Sequence, residues 1–60
     1  MNIPKDPYIL LSYINTKLRD DYSNLNDLCD SLNINQVELN ASLSNIEYHY
    51  DASLNRFVNI

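Results

Sequence analysis

The sequence predicts a mainly α fold: a three-helix, helix-turn-helix-like bundle with a C-terminal β-hairpin, in a single domain over residues 1–60. Three observations predict it. Asp6-Pro7, followed by Leu10, Leu11, Ile14 and Leu18, opens a helix with one apolar stripe. Two shorter amphipathic runs follow, each headed by an Asn able to accept an orphan backbone N–H. From Glu47 onward helical spacing gives way to alternation.

The first helix is expected from Pro7 to Asp20 or Asp21. Asp6 caps it, and Pro7 has no N–H to leave unsatisfied. Lys17 and Arg19 suit the negative end of the helix dipole. Asp20 and Asp21 do not, so the helix ends near that pair. Tyr8, Ile9 and Tyr13 widen the apolar surface beyond one stripe. In the lead-in, Met1 to Lys5, Ile3 can pack back on the first turn as a hydrophobic staple, while Pro4 and Pro7 keep the segment out of the helix.

Ser23 and Asn24 form the next capping site. Leu25, Leu28, Cys29 and Leu32 then recur at i, i+3, i+4 and i+7, with Asp27 well placed in the first turn. Asn33 ends this second helix in a left-handed conformation, a role more often filled by Gly, which the chain lacks entirely. Asn35 caps the third helix, and Glu38 completes a capping-box pattern. Val37, Leu39, Leu43 and Ile46 are its expected apolar positions, with the small Ala41 among them, and it ends near Asn45.

In EYHYD, Tyr48 and Tyr50 fall on one strand face and Glu47 and His49 on the other. Asp51 to Asn55 reads as a five-residue hairpin loop, with an Asx-turn at Asp51 and positive φ at Asn55. Arg56-Phe57-Val58 is the returning strand.

Eight carboxylates face four Lys and Arg, a net charge of −4. This argues against general affinity for nucleic acid or anionic membrane, both of which require surplus positive charge. A chain this short buries a modest core and usually needs a disulfide, a metal or oligomerisation. Cys29 is the only cysteine and His49 the only histidine, so an internal disulfide is excluded and a zinc site is not expected. Self-association through the broad first helix is the support that remains. The apolar run Tyr8 to Leu11 is too short to span a bilayer, and no signal-peptide pattern is seen. With a lone thiol, the expected address is the cytoplasm. Abundant Asn, Ile and Tyr point to a low-GC bacterium.

No residue set reads as catalytic. Cys29 lies on the apolar face of the second helix and reads as a small buried hydrophobe. His49 reads as a solvated side chain on the outward strand face. Asp20 with Asp21, and Asp27 with Asp30, read as solvated faces rather than metal or acid–base pairs. The chain is therefore read as a non-enzyme with no cofactor and no metal. The five tyrosines mostly wall the core with hydroxyls outward. Tyr8, Ile9 and Tyr13 are the candidate interface residues, because tyrosine is also enriched where proteins meet.

The second and third helices resemble a helix-turn-helix: Cys29 stands where that motif prefers a small buried residue, Asn33 where it prefers Gly, and Ile34 where it prefers an apolar turn residue. With the hairpin, the outline is that of a truncated winged helix. The third helix, QVELNASLSN, nevertheless carries no Lys or Arg and places Glu38 in its first turn. Gln36, Asn40 and Ser42 can hydrogen-bond bases or phosphates, but only Lys17, Arg19 and Arg56 offer phosphate attraction. Nucleic acid is disfavoured on this ground.

Taken end to end, the chain also resembles a family of short, uncharacterised clostridial and other Firmicutes proteins catalogued as a domain of unknown function. The resemblance rests on the opening NIPKDPYILLSYINTKLRD, the segment LNDLCDSLNI and the ending YHYDASLNRFV. It implies a small bacterial cytosolic protein and carries no activity, ligand or catalytic residue.

Two functional readings remain. The favoured one is a cytoplasmic, non-catalytic protein–protein interaction or regulatory module, binding an unidentified protein or a second copy of itself. The alternative is a reduced winged-helix DNA-binding regulator contacting DNA through Lys17, Arg19, Gln36, Asn40 and Arg56. An exposed apolar patch favours the first. A basic cluster around the third helix favours the second.

Overall fold

A computed structural model of the chain describes residues 3–60. Its elements are α1 (Pro7–Asp20), α2 (Leu25–Leu32), α3 (Gln36–Ser44), β1 (Tyr48–Asp51) and β2 (Arg56–Asn59). Each helix begins on the cap its sequence provides. Asp6 Oδ1 accepts from the backbone N–H of Tyr8 at 2.9 Å and of Ile9 at 3.2 Å. Asn24 Oδ1 accepts from Asp27 at 2.8 Å, and Asn35 Oδ1 from Glu38 at 3.1 Å. Such caps satisfy N–H groups that have no partner within the helix.

Asn33 ends α2 at φ 56, ψ 47, and the N–H of Ile34 reaches back to the Cys29 carbonyl at 2.9 Å. This bond closes the helix and turns the chain toward α3 without glycine. At the end of α1 the N–H of Tyr22 makes the equivalent bond to the Lys17 carbonyl at 3.0 Å.

One core forms where the helices and the hairpin meet. Leu10, Ile14 and Leu18 come from α1, Leu25, Leu28, Cys29 and Leu32 from α2, Leu39 and Leu43 from α3, and Phe57 from β2. Ile14, Leu28 and Leu43 are wholly shielded from water, each contributing about 1.5–3 kcal/mol of transfer free energy. Ile3, Leu11, Tyr13, Tyr22, Ile46, Tyr48 and Tyr50 pack around the margin. The staple expectation holds for Ile3 to this extent; Met1 and Asn2 lie outside the described residues.

Three local expectations are corrected. Val37 is 77% exposed and Ala41 is exposed, so neither is a core position of α3. Val37 stands two residues from Leu39, and on a helix residues two apart point away from each other. The hairpin loop has four residues rather than five, because Asp51 pairs with Arg56. Glu47 is not a strand residue: it turns the corner from α3 into β1 at φ 66. Its carbonyl accepts from the N–H of Ile60 at 2.8 Å, which starts the register Tyr48↔Asn59, His49↔Val58, Tyr50↔Phe57.

Candidate interaction surface

The hairpin is fastened to α1 by two asparagines. Asn15, on α1, meets β2 edge-on: its Oδ1 accepts from the Phe57 N–H at 2.8 Å and its Nδ2 donates to the Phe57 carbonyl at 3.2 Å. Asn55 sits in the loop at φ 51. Its Nδ2 donates to the carbonyls of Leu18 at 3.1 Å and Tyr22 at 3.0 Å, and its Oδ1 accepts from the Tyr50 hydroxyl at 2.7 Å. The loop thereby supplies donors to the Leu18 carbonyl in the last turn of α1, which lacks a helical partner, and to the Tyr22 carbonyl just beyond the helix. Asp51 orders the same loop, its Oδ1 accepting from the Ser53 hydroxyl at 2.6 Å and the Ser53 N–H at 2.9 Å.

This docking leaves an open groove of about 750 Å³ between α1 and the hairpin. Tyr8, Leu11 and Leu54 supply its apolar surface and Arg19 and Arg56 its charge. Tyr8 is 64% and Leu54 55% exposed. None of the chain's eight carboxylates lines the groove, although the protein as a whole is acidic.

The three candidate interface residues do not share one face. Consecutive residues of a helix are about 100° apart, so Tyr8 points to the hairpin side and Ile9 to the opposite flank. Ile9 is 60% exposed. Tyr13 follows Ile9 on that flank, half-buried against the core, with the Lys17 ammonium 5.8 Å from its ring centre.

The nucleic-acid candidates are scattered likewise. Lys17 pairs with Asp21 at 3.3 Å, a hydrogen bond that raises its pKa above the usual lysine value. Arg19 donates to both carboxylate oxygens of Asp20 at 2.9 Å, which holds the Asp20 pKa below its ordinary value. Gln36 and Asn40 line a separate depression between α3 and β1, beside His49. Of the three cations, Arg19 and Arg56 share a surface that Lys17 does not line, and no residue of α3 lines it.

The Cys29 thiol is buried, and desolvation pushes its pKa up, with Asp30 adding to the shift. Among the described residues no group of three or more His, Cys, Asp or Glu side chains could hold a metal ion. None of the helices described is long and apolar enough to cross a membrane.

Sequence reading missed Leu54 and the roles of the Asn15 and Asn55 side chains. Positive φ at Asn55 was legible, but nothing in the local sequence signals a bond to a carbonyl 37 residues away.

The fold defines a small three-helix, helix-turn-helix-like domain closed by a two-stranded antiparallel hairpin. Residues 4–57 match a family described as Domain of unknown function (DUF4250), and the chain belongs to that family. No significant match was found among curated proteins or among solved structures.

Proposed function

We propose that this protein is a small, non-catalytic protein–protein interaction or regulatory module of the cytoplasm, with the α1–hairpin groove as its docking surface. The observation that carries the reading is the groove itself: exposed Tyr8 and Leu54 beside two guanidinium groups, on a helix and hairpin fastened by Asn15 and Asn55. Tyrosine and arginine are the residue types that interfaces favour. The other flank of α1, with Ile9 exposed and Tyr13 partly so, is the surface through which a second copy would associate.

The test is fluorescence anisotropy of labelled random duplex DNA at about 50 mM salt, where non-specific binding is strongest, together with sedimentation equilibrium of the protein alone. A flat anisotropy trace into the tens of micromolar, about the range of non-specific binders, is expected. Binding that weakens steeply with added salt would overturn the reading in favour of a DNA regulator. A dimer that Ile9→Glu dissociates would assign the α1 flank to self-association.

A further inference from the structure

We infer that the α1–hairpin groove takes a short acidic, amphipathic segment of a partner protein, its carboxylates set against Arg19 and Arg56 and an apolar side chain packed on Tyr8, Leu11 or Leu54. The inference rests on the interaction-module reading and names the chemistry of its partner.

Charge segregation carries it. Two of the chain's four cationic side chains line this groove and none of its eight carboxylates does. Arg56 has no ion-pair or hydrogen-bond partner for its side chain among the described residues. Among the described residues Arg19 is held only by Asp20, its exposed neighbour in sequence, which is not among the groove's lining residues. Exposed pairs of this kind are weak and readily exchanged. The planar guanidinium fork matches a carboxylate in two parallel hydrogen bonds, a geometry that an ammonium lacks.

The remaining charge of the molecule selects the length of the occupant. At physiological ionic strength the Debye length is about 8 Å, so a short docked segment responds chiefly to the local guanidinium pair. Duplex DNA places one phosphate about every 1.7 Å of its axis. It therefore brings many more charges against a protein of net charge −4 than two arginines neutralise. A second copy of the chain carries that same net charge and is disfavoured as the occupant of this groove for the same reason, the Ile9 flank of α1 being a separate surface.

The experiment is a two-dimensional ¹⁵N–¹H NMR titration of the whole chain with three probes. These are a short synthetic peptide of Glu, Asp, Leu and Phe, its Gln/Asn counterpart, and a short duplex DNA. The acidic peptide is expected to move the amide signals of Ser12, Asn15, Arg19 and Arg56 and to bind about tenfold more tightly than its neutral counterpart, the ratio expected for one charge-assisted contact. Arg56→Gln should remove most of that preference, whereas Lys17→Gln, on the opposite flank, should leave it unchanged. Thermal melting of both variants verifies folding. Equal binding of the two peptides in the groove would overturn the acidic partner while leaving the docking surface in place. Preference for DNA would overturn both. Absence of shifts at the groove with either peptide would overturn this assignment, and the Ile9 flank would remain as the module's surface.

Discussion

The Asn15 side chain closes on the backbone of Phe57 from both sides, donating to its carbonyl at 3.2 Å and accepting from its N–H at 2.8 Å. A helix side chain thus stands in for the neighbouring strand that the outer edge of β2 lacks. The ring of Phe57 is buried, 5.6 Å from that of Tyr50 at an interplanar angle of 56°, a tilted contact. Apolar burial and amide pairing meet at this one residue and join the hairpin to the helices.

Replacing Asn15 should therefore cost more than a surface substitution. Asn15→Ala leaves a partly buried N–H and carbonyl without partners, and the expected loss is about 1–3 kcal/mol. Urea unfolding followed by circular dichroism measures it, and a change of less than a few tenths would contradict the pairing.

Asn55 combines a backbone and a side-chain role that two substitutions separate. Asn55→Gly keeps φ 51 accessible and removes the bonds to Leu18, Tyr22 and Tyr50, so it should destabilise by about 1–3 kcal/mol. Asn55→Ala removes the same bonds and adds the left-handed penalty of about 1–2 kcal/mol. Equal unfolding midpoints for the two variants would show that the backbone term is absent.

Positive φ at Glu47 offers the opposite effect. Its side chain is exposed and makes no hydrogen bond among the described residues, while its backbone holds φ 66. Glu47→Gly should raise stability by about 1 kcal/mol. Asn33→Gly, at φ 56, should gain less, because Asn already tolerates that region. A loss of stability in Glu47→Gly would mean that the corner is not left-handed in solution.

Burial and a raised pKa together keep Cys29 a protonated thiol at neutral pH. Alkylation by iodoacetamide at pH 8 should proceed only through opening of the fold and accelerate as urea is added. Reaction of the native protein at the rate of a free cysteine would place the thiol at the surface.

Asp51 gives the acid limb a definite sign. Its hydrogen bond from the Ser53 hydroxyl, joined by those from the Ser53 and Leu54 backbone and opposed by desolvation, holds its pKa below the ordinary 3.8. A group depressed in the folded state stabilises above its unfolded pKa, and that contribution disappears as pH falls through the folded value. Asp51→Asn keeps an acceptor oxygen but does not titrate. The melting-temperature advantage of the native protein over this variant should be constant near neutrality and shrink below about pH 4. An advantage that grew on acidification would contradict the assignment.

The sequence by itself determined the order and type of all five elements, the three helix caps and the left-handed positions at Asn33 and Asn55. These features depend on groups within a few residues of one another, where periodicity and side-chain-to-backbone bonding leave a spacing to read. The tertiary structure alone decided that Asn15 grips Phe57 across 42 residues and that Asn55 reaches Leu18 across 37. It also decided that Arg19 and Arg56 come to line one groove with Tyr8. Contacts at such separations depend on where the hairpin settles against α1. That placement is set by the burial of Phe57 in the shared core and the packing of β2 against α1, and no local spacing encodes it.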